Sequence, residues 1–330
     1  MEHWTSSPEE LAKAADALRS GALVGMPTET VYGLAGNALD AETVATIFEV
    51  KRRPTFDPLI VHAATLEEAF GLAAEVPAEA RMLAERFWPG PLTLVLPRRP
   101  DLPDLLSAGL ETLAVRVPGH PVAQALLKAC GLPLAAPSAN RFGHISPTRA
   151  AHVLEEFGDA PDVAGVVDAG PCDYGLESTV VGFPGGGRVV VYRLGATPLE
   201  VLREVADQVE AVNAAHPEDE ADRVSAGEQS PGMLARHYAP RTPLTLLEAG
   251  AEAPVSGGRT GWLSFDRVLE VDGPQEVLST RGDLAQAATR LFSCLRRLDR
   301  LGLDRIVAWK VPEEGLGRAI NDRLTRAAVS

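Results

Sequence analysis

Short apolar runs alternate with segments of helical periodicity along most of this chain. Gly21–Met26 is an apolar run followed by proline, which is the pattern of a buried strand. Ser7–Glu10 (SPEE) has the sequence of a helical capping box and precedes apolar residues on one helical face. Some neighbouring strand candidates lack a helix between them, so the pattern predicts an α/β fold on a mixed sheet. Further strands are predicted at Leu59–His62, Leu92–Leu96, Leu113–Val117, Leu134–Ala136, Ala164–Val167, Ser178–Gly182 and Val189–Tyr192, and helices at Pro121–Ala129 and Thr148–Glu156.

A change of composition near residues 208–229 divides the chain, whose 330 residues exceed one ordinary core. His216–Glu220 is polar and acidic, as in a solvated linker. Ser230–Met233 (SPGM) and His237–Pro240 (HYAP) follow, and their residues are not typical of a linker. A second α/β unit is indicated by strand patterns at Leu244–Leu247, Gly261–Phe265 and Arg305–Trp309 and a last helix over Leu316–Ala327. We expect a first domain over residues 1–207, a linker segment over 208–241 and a C-terminal domain over 242–330.

Charge and cysteine content restrict the classes of function. The net charge of −14 is unlike that of proteins that coat nucleic acid, so basic groups are expected to act locally on small anions such as phosphates. The three cysteines are widely spaced and form no CxxC pair, which favours a reducing cytoplasm. The sequence contains neither a long apolar span nor the pattern of a secretory signal. We therefore expect a cytoplasmic protein.

Familiar nucleotide and hydrolase signatures are absent from this sequence. It contains no GxxxxGK[ST] loop, no GxGxxG, no HExxH and no GxSxG. Pro27–Leu34 (PTETVYGL) follows a buried strand, where open α/β sheets place ligand-binding loops, although a purely structural polar turn is equally consistent with it. The glycines of Gly185–Gly187 lie between two strand candidates and predict a hairpin turn.

Cationic and small polar residues form two further segments of interest. Lys51–Pro54 (KRRP) concentrates cations on an acidic protein, which suits either a triphosphate or a solvated helix end. Pro137–Asn140 (PSAN) and Ser146–Thr148 can present backbone N–H groups to phosphate or cap the next helix. Arg116 and Arg193 interrupt apolar strands, where arginine requires a carboxylate or phosphate partner.

Together these segments resemble the YrdC family, in the two-domain form whose members make threonylcarbamoyl-AMP. PTETVYGL with the downstream KRR and APSAN is specific to the family, and SPGM with HYAP distinguishes its long form. The resemblance covers nearly the whole chain and implies a YrdC-like twisted mixed sheet with flanking helices, plus a smaller Rossmann-like α/β C-terminal domain. One departure is Phe142, where relatives often have serine. The matching pieces also include Trp88–Leu94, Arg116–Pro118, Ser178–Val181, Arg193–Gly195 and Gly315–Ala328.

The resemblance implies a reaction of L-threonine, bicarbonate and ATP. L-threonine and bicarbonate form N-carboxy-threonine, and its carbamate oxygen attacks the α-phosphate of ATP and releases pyrophosphate. The substrates supply the nucleophile, so catalysis comes from positioning and charge stabilisation. Mg²⁺ is the expected companion of the triphosphate, without direct ligation by the protein. The product supplies a downstream tRNA threonylcarbamoyl-transferase complex, a weak contact with tRNA is left open, and no membrane is involved.

The same resemblance implies roles for individual residues. Lys51 and Arg53 meet the growing negative charge and are the expected catalytic residues. The segment Ser230–Pro240 is expected to close over ATP and exclude water. L-threonine is assigned to Thr30, His62, Arg116 and Ser178. ATP is assigned to Lys51, Arg53, Asp57, Thr112, Ser138, Asn140, Ser146, Arg193, His237 and Tyr238.

Two other functions compete with this interpretation. YrdC-like domains of hydrogenase maturation factors transfer carbamoyl groups from carbamoyl phosphate, but they accompany zinc-finger and acylphosphatase regions, and this sequence shows neither. A non-catalytic RNA-binding module is the second alternative, and the net charge of −14 argues against strong unaided binding.

Overall fold

Two sheets organise the residues that this computed structural model describes, which are 1–212, 237–254 and 258–329. The larger sheet belongs to the first domain, and its parallel and antiparallel pairs confirm a mixed sheet. Its strands are β1 (Glu2–Trp4), β2 (Leu23–Met26), β3 (Gly33–Asn37), β4 (Ile60–His62), β5 (Leu92–Pro97), β6 (Thr112–Arg116), β7 (Leu134–Ala135), β8 (Val163–Val167), β9 (Thr179–Gly185), β10 (Arg188–Arg193) and β11 (Gln208–Ala211). Their order across the sheet is β1-β8-β2-β3-β7-β4-β6-β5-β9-β10-β11.

Helices flank this sheet, and the first of them begins at the cap that the sequence indicates. The Ser7 hydroxyl accepts a hydrogen bond from the Glu10 amide at 3.4 Å, and the Asp40 carboxylate accepts from the amides of Glu42 and Thr43. The helices are α1 (Pro8–Arg19), α2 (Ala41–Lys51), α3 (Leu66–Phe70), α4 (Ala78–Phe87), α5 (Pro121–Cys130), α6 (Ala150–Phe157) and α7 (Leu199–Arg203), with a 3-10 turn at Asp104–Ser107.

The C-terminal domain is a smaller α/β unit with a parallel sheet. Its four strands lie in the order β12-β15-β13-β14, and every recorded pair between them is parallel. The strands are β12 (Leu244–Leu247), β13 (Thr260–Ser264), β14 (Gln275–Val277) and β15 (Arg305–Trp309), and the helices are α8 (Leu284–Asp299) and α9 (Leu316–Ala327). In the described part of the chain, no helix has both the length and the apolar surface needed to cross a bilayer.

Several boundaries differ from the sequence prediction, among them the following three. Strand β3 begins inside the PTETVYGL segment, because a glycine-rich strand shows no apolar alternation. Gly36 is required there, since an added Cβ would lie 2.7 Å from the Thr43 side chain. Strand β11 pairs in parallel with β10, so the first sheet continues beyond residue 207. The helix expected from Thr148 begins at Ala150, and the Thr148 amide before it donates to the His152 ring.

Buried apolar contacts join the two domains. Val31 and Ile145 of the first domain belong to the same buried cluster as Leu291 and Phe292 of α8. The hydroxyl groups of Thr148 and Ser293 are 3.1 Å apart across the same boundary. Because these contacts are tightly packed, they fix the orientation of one domain on the other.

The cap of α8 tests how the main helix of the C-terminal domain begins. The Asp283 carboxylate accepts hydrogen bonds from the amides of Ala285 and Gln286 at 2.8 and 3.1 Å. We expect Asp283→Ala to lower the free energy of unfolding by about 1 kcal/mol, because the first turn loses its acceptor. Urea denaturation measures the change, and Asp283→Ser, which restores a capping oxygen, is the matched control. Equal losses in both variants would contradict the capping role.

Candidate functional site

A cleft crosses one face of the larger sheet. Ile60 and His62, two residues apart on β4, both line it, so the cleft lies on the face of the sheet as well as at the strand ends. His62 and Arg116 are register partners on parallel β4 and β6. The cleft encloses about 560 Å³, open solvent at its mouth included. Its polar lining consists of Thr28, Thr30, Arg53, His62, Arg116, Ser138, Glu177, Ser178, Arg193, His237 and Tyr238.

Arg116 organises one end of the cleft. Its guanidinium donates to the Gly90 carbonyl at 3.0 Å and to the Thr30 hydroxyl at 2.9 Å, and it forms an ion pair with Glu29. The Glu29 carboxylate also accepts from the Gly119 amide at 2.9 Å. Burial raises the pKa of Glu29, but Arg116 and the Gly119 amide outweigh it and hold the pKa below its ordinary value. Two of the five N–H groups of Arg116 have no acceptor in the described residues and can bind a small carboxylate.

His62 stands beside this guanidinium as a neutral imidazole. Burial, reinforced by the positive charge of Arg116, lowers the pKa of His62 to about 3. Its Nδ1 atom lies 3.3 Å from the Ile60 carbonyl oxygen, which only accepts, so this contact is a hydrogen bond in the tautomer that carries the proton on Nδ1. In that tautomer the Nε2 atom is an acceptor.

Two further buried arginines, called the phosphate end below, line the same cleft. Arg53 donates to the carbonyl of Pro58 at 2.8 Å and forms an ion pair with Asp57 at 2.9 Å. Arg193 donates to the Ser178 carbonyl at 3.0 and 3.1 Å. Burial lowers the pKa of both guanidinium groups, because each positive charge has lost water. Desolvated cations in a partly enclosed cleft suit a polyanion such as a phosphate chain.

Lys51 differs from its expected position. Its ammonium donates to the carbonyl oxygens of Ser138 and Asn140, and the residue is 1% exposed and absent from the cleft lining. Helix α2 ends at Lys51, and the side chain extends from there to the backbone of residues 138–140. In this conformation Lys51 shapes the backbone of the PSAN segment, and its direct contact with phosphate stays a prediction.

Four further predicted residues lie outside the lining. Asp57 pairs with Arg53, and the Ser146 hydroxyl donates to the Glu177 carboxylate, so both support residues of the wall. The Asn140 amide donates to the carbonyls of Arg141 and His144. Thr112 lies at the opposite end of β6 from Arg116, paired with Pro97, and lines a separate groove. Its assignment to ATP is corrected by this position.

His237 and Tyr238, called the cover below, line the cleft. Tyr238 is 1% exposed and has a positive φ of 64°, and its ring stacks on Phe292 of α8 with centroids 5.7 Å apart. The His237 ring meets the edge of Tyr238 at 4.1 Å and of Phe142 at 5.7 Å. Phe142, the departure noted in the sequence, therefore supports this cover. Ser230–Met233, the other part of the expected lid, lies outside the described residues.

Family models match both domains. The Sua5/YciO/YrdC model, described as "Telomere recombination", matches residues 16–195. The Sua5 model described as "Threonylcarbamoyl-AMP synthase, C-terminal domain" matches residues 198–329. The chain belongs to the Sua5 family in its two-domain form.

Individual Sua5 relatives match over almost their entire length. Proteins named threonylcarbamoyl-AMP synthase from Pyrococcus abyssi (strain GE5 / Orsay) and Bacillus subtilis (strain 168) are each 40% identical, covering 96% and 98% of this chain and 93% and 94% of theirs. The crystal structure of P. abyssi Sua5 complexed with L-threonine superposes with a TM-score of 0.90 at 37% identity, covering 99% of this chain and 98% of that one. Full-length HypF, with a TM-score of 0.51 at 24% identity, covers 58% of this chain and 30% of its own, and shares the fold alone.

Sequence reasoning missed the acidic residues of this Sua5 site. Glu29 and Glu177 are 4% and 5% exposed, and each neutralises a buried arginine, Arg116 and Arg323 respectively. An acid is unexpected where anions bind, and the partners are 87 and 146 residues apart in the chain. The available signal was the position of each acid inside an otherwise uncharged motif.

The protonation state of His62 can be measured by NMR. We expect its ring resonances in an NMR titration to stay constant between about pH 8 and pH 5, where an ordinary histidine titrates. Since the unfolded chain binds a proton at this histidine below pH 6.5 and the folded chain does so only near pH 3, its contribution to stability falls as the pH falls below 6.5. His62→Gln assigns the resonance by its loss. A titration midpoint near the ordinary pKa of histidine would contradict the buried environment described for His62.

Proposed function

We propose that this chain is an L-threonylcarbamoyladenylate synthase, a nucleotidyltransferase that condenses L-threonine, bicarbonate and ATP. The observation that carries the proposal is one cleft with two ends of different chemistry. Arg116 and Thr30 form an end suited to a small amino acid, and Arg53 and Arg193 form an end suited to phosphates. The names of the P. abyssi and B. subtilis relatives and the L-threonine complex of P. abyssi Sua5 support the same activity.

The reaction proceeds through the carbamate of threonine. The threonine nitrogen forms a bond to the carbon of bicarbonate, and water leaves. A carbamate oxygen then attacks the α-phosphorus of ATP, the bond to the bridging oxygen breaks, and the electron pair leaves with pyrophosphate. Arg53 and Arg193 stabilise the charge that gathers on the phosphates. No side-chain nucleophile is required.

The threonine end holds and orients the amino acid. The unused N–H groups of Arg116 bind the carboxylate, and the hydroxyl groups of Thr30 and Ser178 provide neighbouring polar contacts. His62 is neutral, and its Nε2 atom accepts a hydrogen bond from the amine.

ATP enters as its Mg²⁺ complex in this proposal. Carboxylates around the cleft are engaged by arginines, as in the pairs Asp57–Arg53 and Glu29–Arg116. Within the described residues, no group of three histidine, cysteine or acidic side chains has the arrangement of a metal site. This donor set fits an ion held by phosphate oxygens and water, which is how Mg²⁺ commonly accompanies nucleotides.

The product would supply a tRNA threonylcarbamoyl-transferase complex, and we infer a cytoplasmic reaction. His237 and Tyr238 lie over the cleft, where they protect the adenylate from water. A weak contact with tRNA remains part of the proposal.

Turnover provides the direct test. We expect pyrophosphate release from ATP to require both L-threonine and bicarbonate. Arg53→Gln should lower kcat/KM by on the order of 100-fold, because it removes a cation from the phosphate end. Arg52→Gln, a change at the exposed neighbouring cation, is the matched control and should retain activity. Turnover without threonine would favour carbamoyl-phosphate chemistry, and RNA binding without turnover would favour the binding module.

The threonine end can be tested separately. Arg116→Lys keeps the positive charge but loses the planar set of donors, so KM for L-threonine should rise at least about tenfold. KM for ATP should stay within about twofold, because the phosphate end does not depend on this side chain. Steady-state kinetics with each substrate varied in turn measures both. A larger effect on ATP would overturn the assignment of the two ends.

A further inference from the structure

Arg323 is a residue of the C-terminal domain that reaches the wall of the first domain's cleft. It lies on α9 and is 1% exposed. Its Nε atom donates to the Glu177 carboxylate at 2.8 Å, and an Nη atom donates to the Leu194 carbonyl at 2.8 Å. Its guanidinium carbon lies 4.8 Å from the centre of the Tyr238 ring. One side chain therefore contacts three separate segments of the chain.

Each of these contacts adjoins a residue that lines the cleft. Glu177 lines it and precedes Ser178, Leu194 follows Arg193, and Tyr238 belongs to the cover. Removing Arg323 thus takes away one contact from the wall and one from the cover.

The pair of Arg323 and Glu177 is shielded from water. Their side chains are 1% and 7% exposed, so their attraction is weakly screened. The other Glu177 oxygen accepts from the Ser146 hydroxyl, which gives the carboxylate a fixed orientation. Loss of the arginine would leave a buried charge without its partner, which is costly.

The threonine end is held by other residues. Arg116 is bonded to Gly90, Glu29 and Thr30, and none of these hydrogen bonds involves the C-terminal domain. The Ser178 hydroxyl is 2.8 Å from that of Thr93, and it also accepts from Arg193 at 3.1 Å. Loss of Arg323 should therefore act on the phosphate end and the cover.

We propose that Arg323 is a positioning residue through which the C-terminal domain orders the nucleotide end of the cleft. The assignment of that end to ATP rests on the proposed function. The guanidinium holds the backbone beside Arg193 and the ring of Tyr238 in the arrangement that binds nucleotide. A domain with no residue in the threonine end thereby controls the affinity for the second substrate.

Arg318 is a matched control on the same helix. It also forms an ion pair across the domain boundary, with Glu200 of α7, but these side chains are 31% and 43% exposed and do not line the cleft. A change that merely weakens the attachment of the domains should affect both arginines, whereas the positioning role belongs to Arg323 alone.

The test compares Arg323→Gln with Arg318→Gln. For Arg323→Gln we expect KM for ATP to rise about tenfold, KM for L-threonine to change less than about twofold, and Arg318→Gln to resemble the unaltered protein. Calorimetric titration with a non-hydrolysable ATP analogue should show the same loss of affinity. That measurement needs no turnover, so it tests Arg323 even where the proposed synthesis fails.

The double variant E177Q/R323Q separates positioning from stability. It removes both charges, so the midpoint of thermal unfolding should recover relative to Arg323→Gln, while nucleotide affinity stays reduced. If Arg323→Gln fails to fold, the double variant is assayed with the same comparison of the two KM values. Recovery of nucleotide affinity in the double variant, equal changes in both KM values, or equal effects of Arg318→Gln would overturn the proposal.

Discussion

Burial of charged arginine side chains is the constraint on which the cleft depends. A guanidinium removed from water must find acceptors for its N–H groups, and Arg116 finds them in Gly90, Thr30 and Glu29. Those partners lie on two separate loops, one with Gly90 and one with Glu29 and Thr30, so satisfying one side chain fixes the distance between the loops. The same requirement places Arg53 against its own exit loop. The positions of the loops in the site are thus set largely by the hydrogen bonds that these buried arginines require.

The attachment of the C-terminal domain also combines burial with the hydrogen bonds of a buried arginine. Apolar packing of Val31 and Ile145 against α8 supplies non-directional attraction between the domains. The contacts of Arg323 add direction, because planar donors tolerate few arrangements of their acceptors. Tyr238 lies between these two influences, stacked on Phe292 and beneath the guanidinium. The contacts that attach the C-terminal domain therefore also place the cover.

Much of the fold could be predicted from the sequence, because apolar periodicity and caps act locally. The strands Leu244–Leu247 and Arg305–Trp309 have the predicted bounds. The side-chain direction of Lys51 could not be predicted, since it is set by carbonyl groups about ninety residues away. The position of Thr112 was missed for a related reason. A motif places a residue on a strand, but only the register across the sheet decides which end of that strand faces the cleft.

Polar atoms around the nucleotide end complete the argument. His237 Nδ1 and Tyr238 Oη, both on residues that line the cleft, are buried and have no hydrogen-bond partner within the described residues. Unmade hydrogen bonds of this kind cost about 1–3 kcal/mol each, so they are rarely retained without a use. They gather where a nucleotide with its own donors and acceptors is proposed to lie. Binding of the nucleotide would then recover a desolvation cost that the folded protein already carries. The cleft would also discriminate between nucleotides, because a ligand that lacks the matching groups leaves that cost in place.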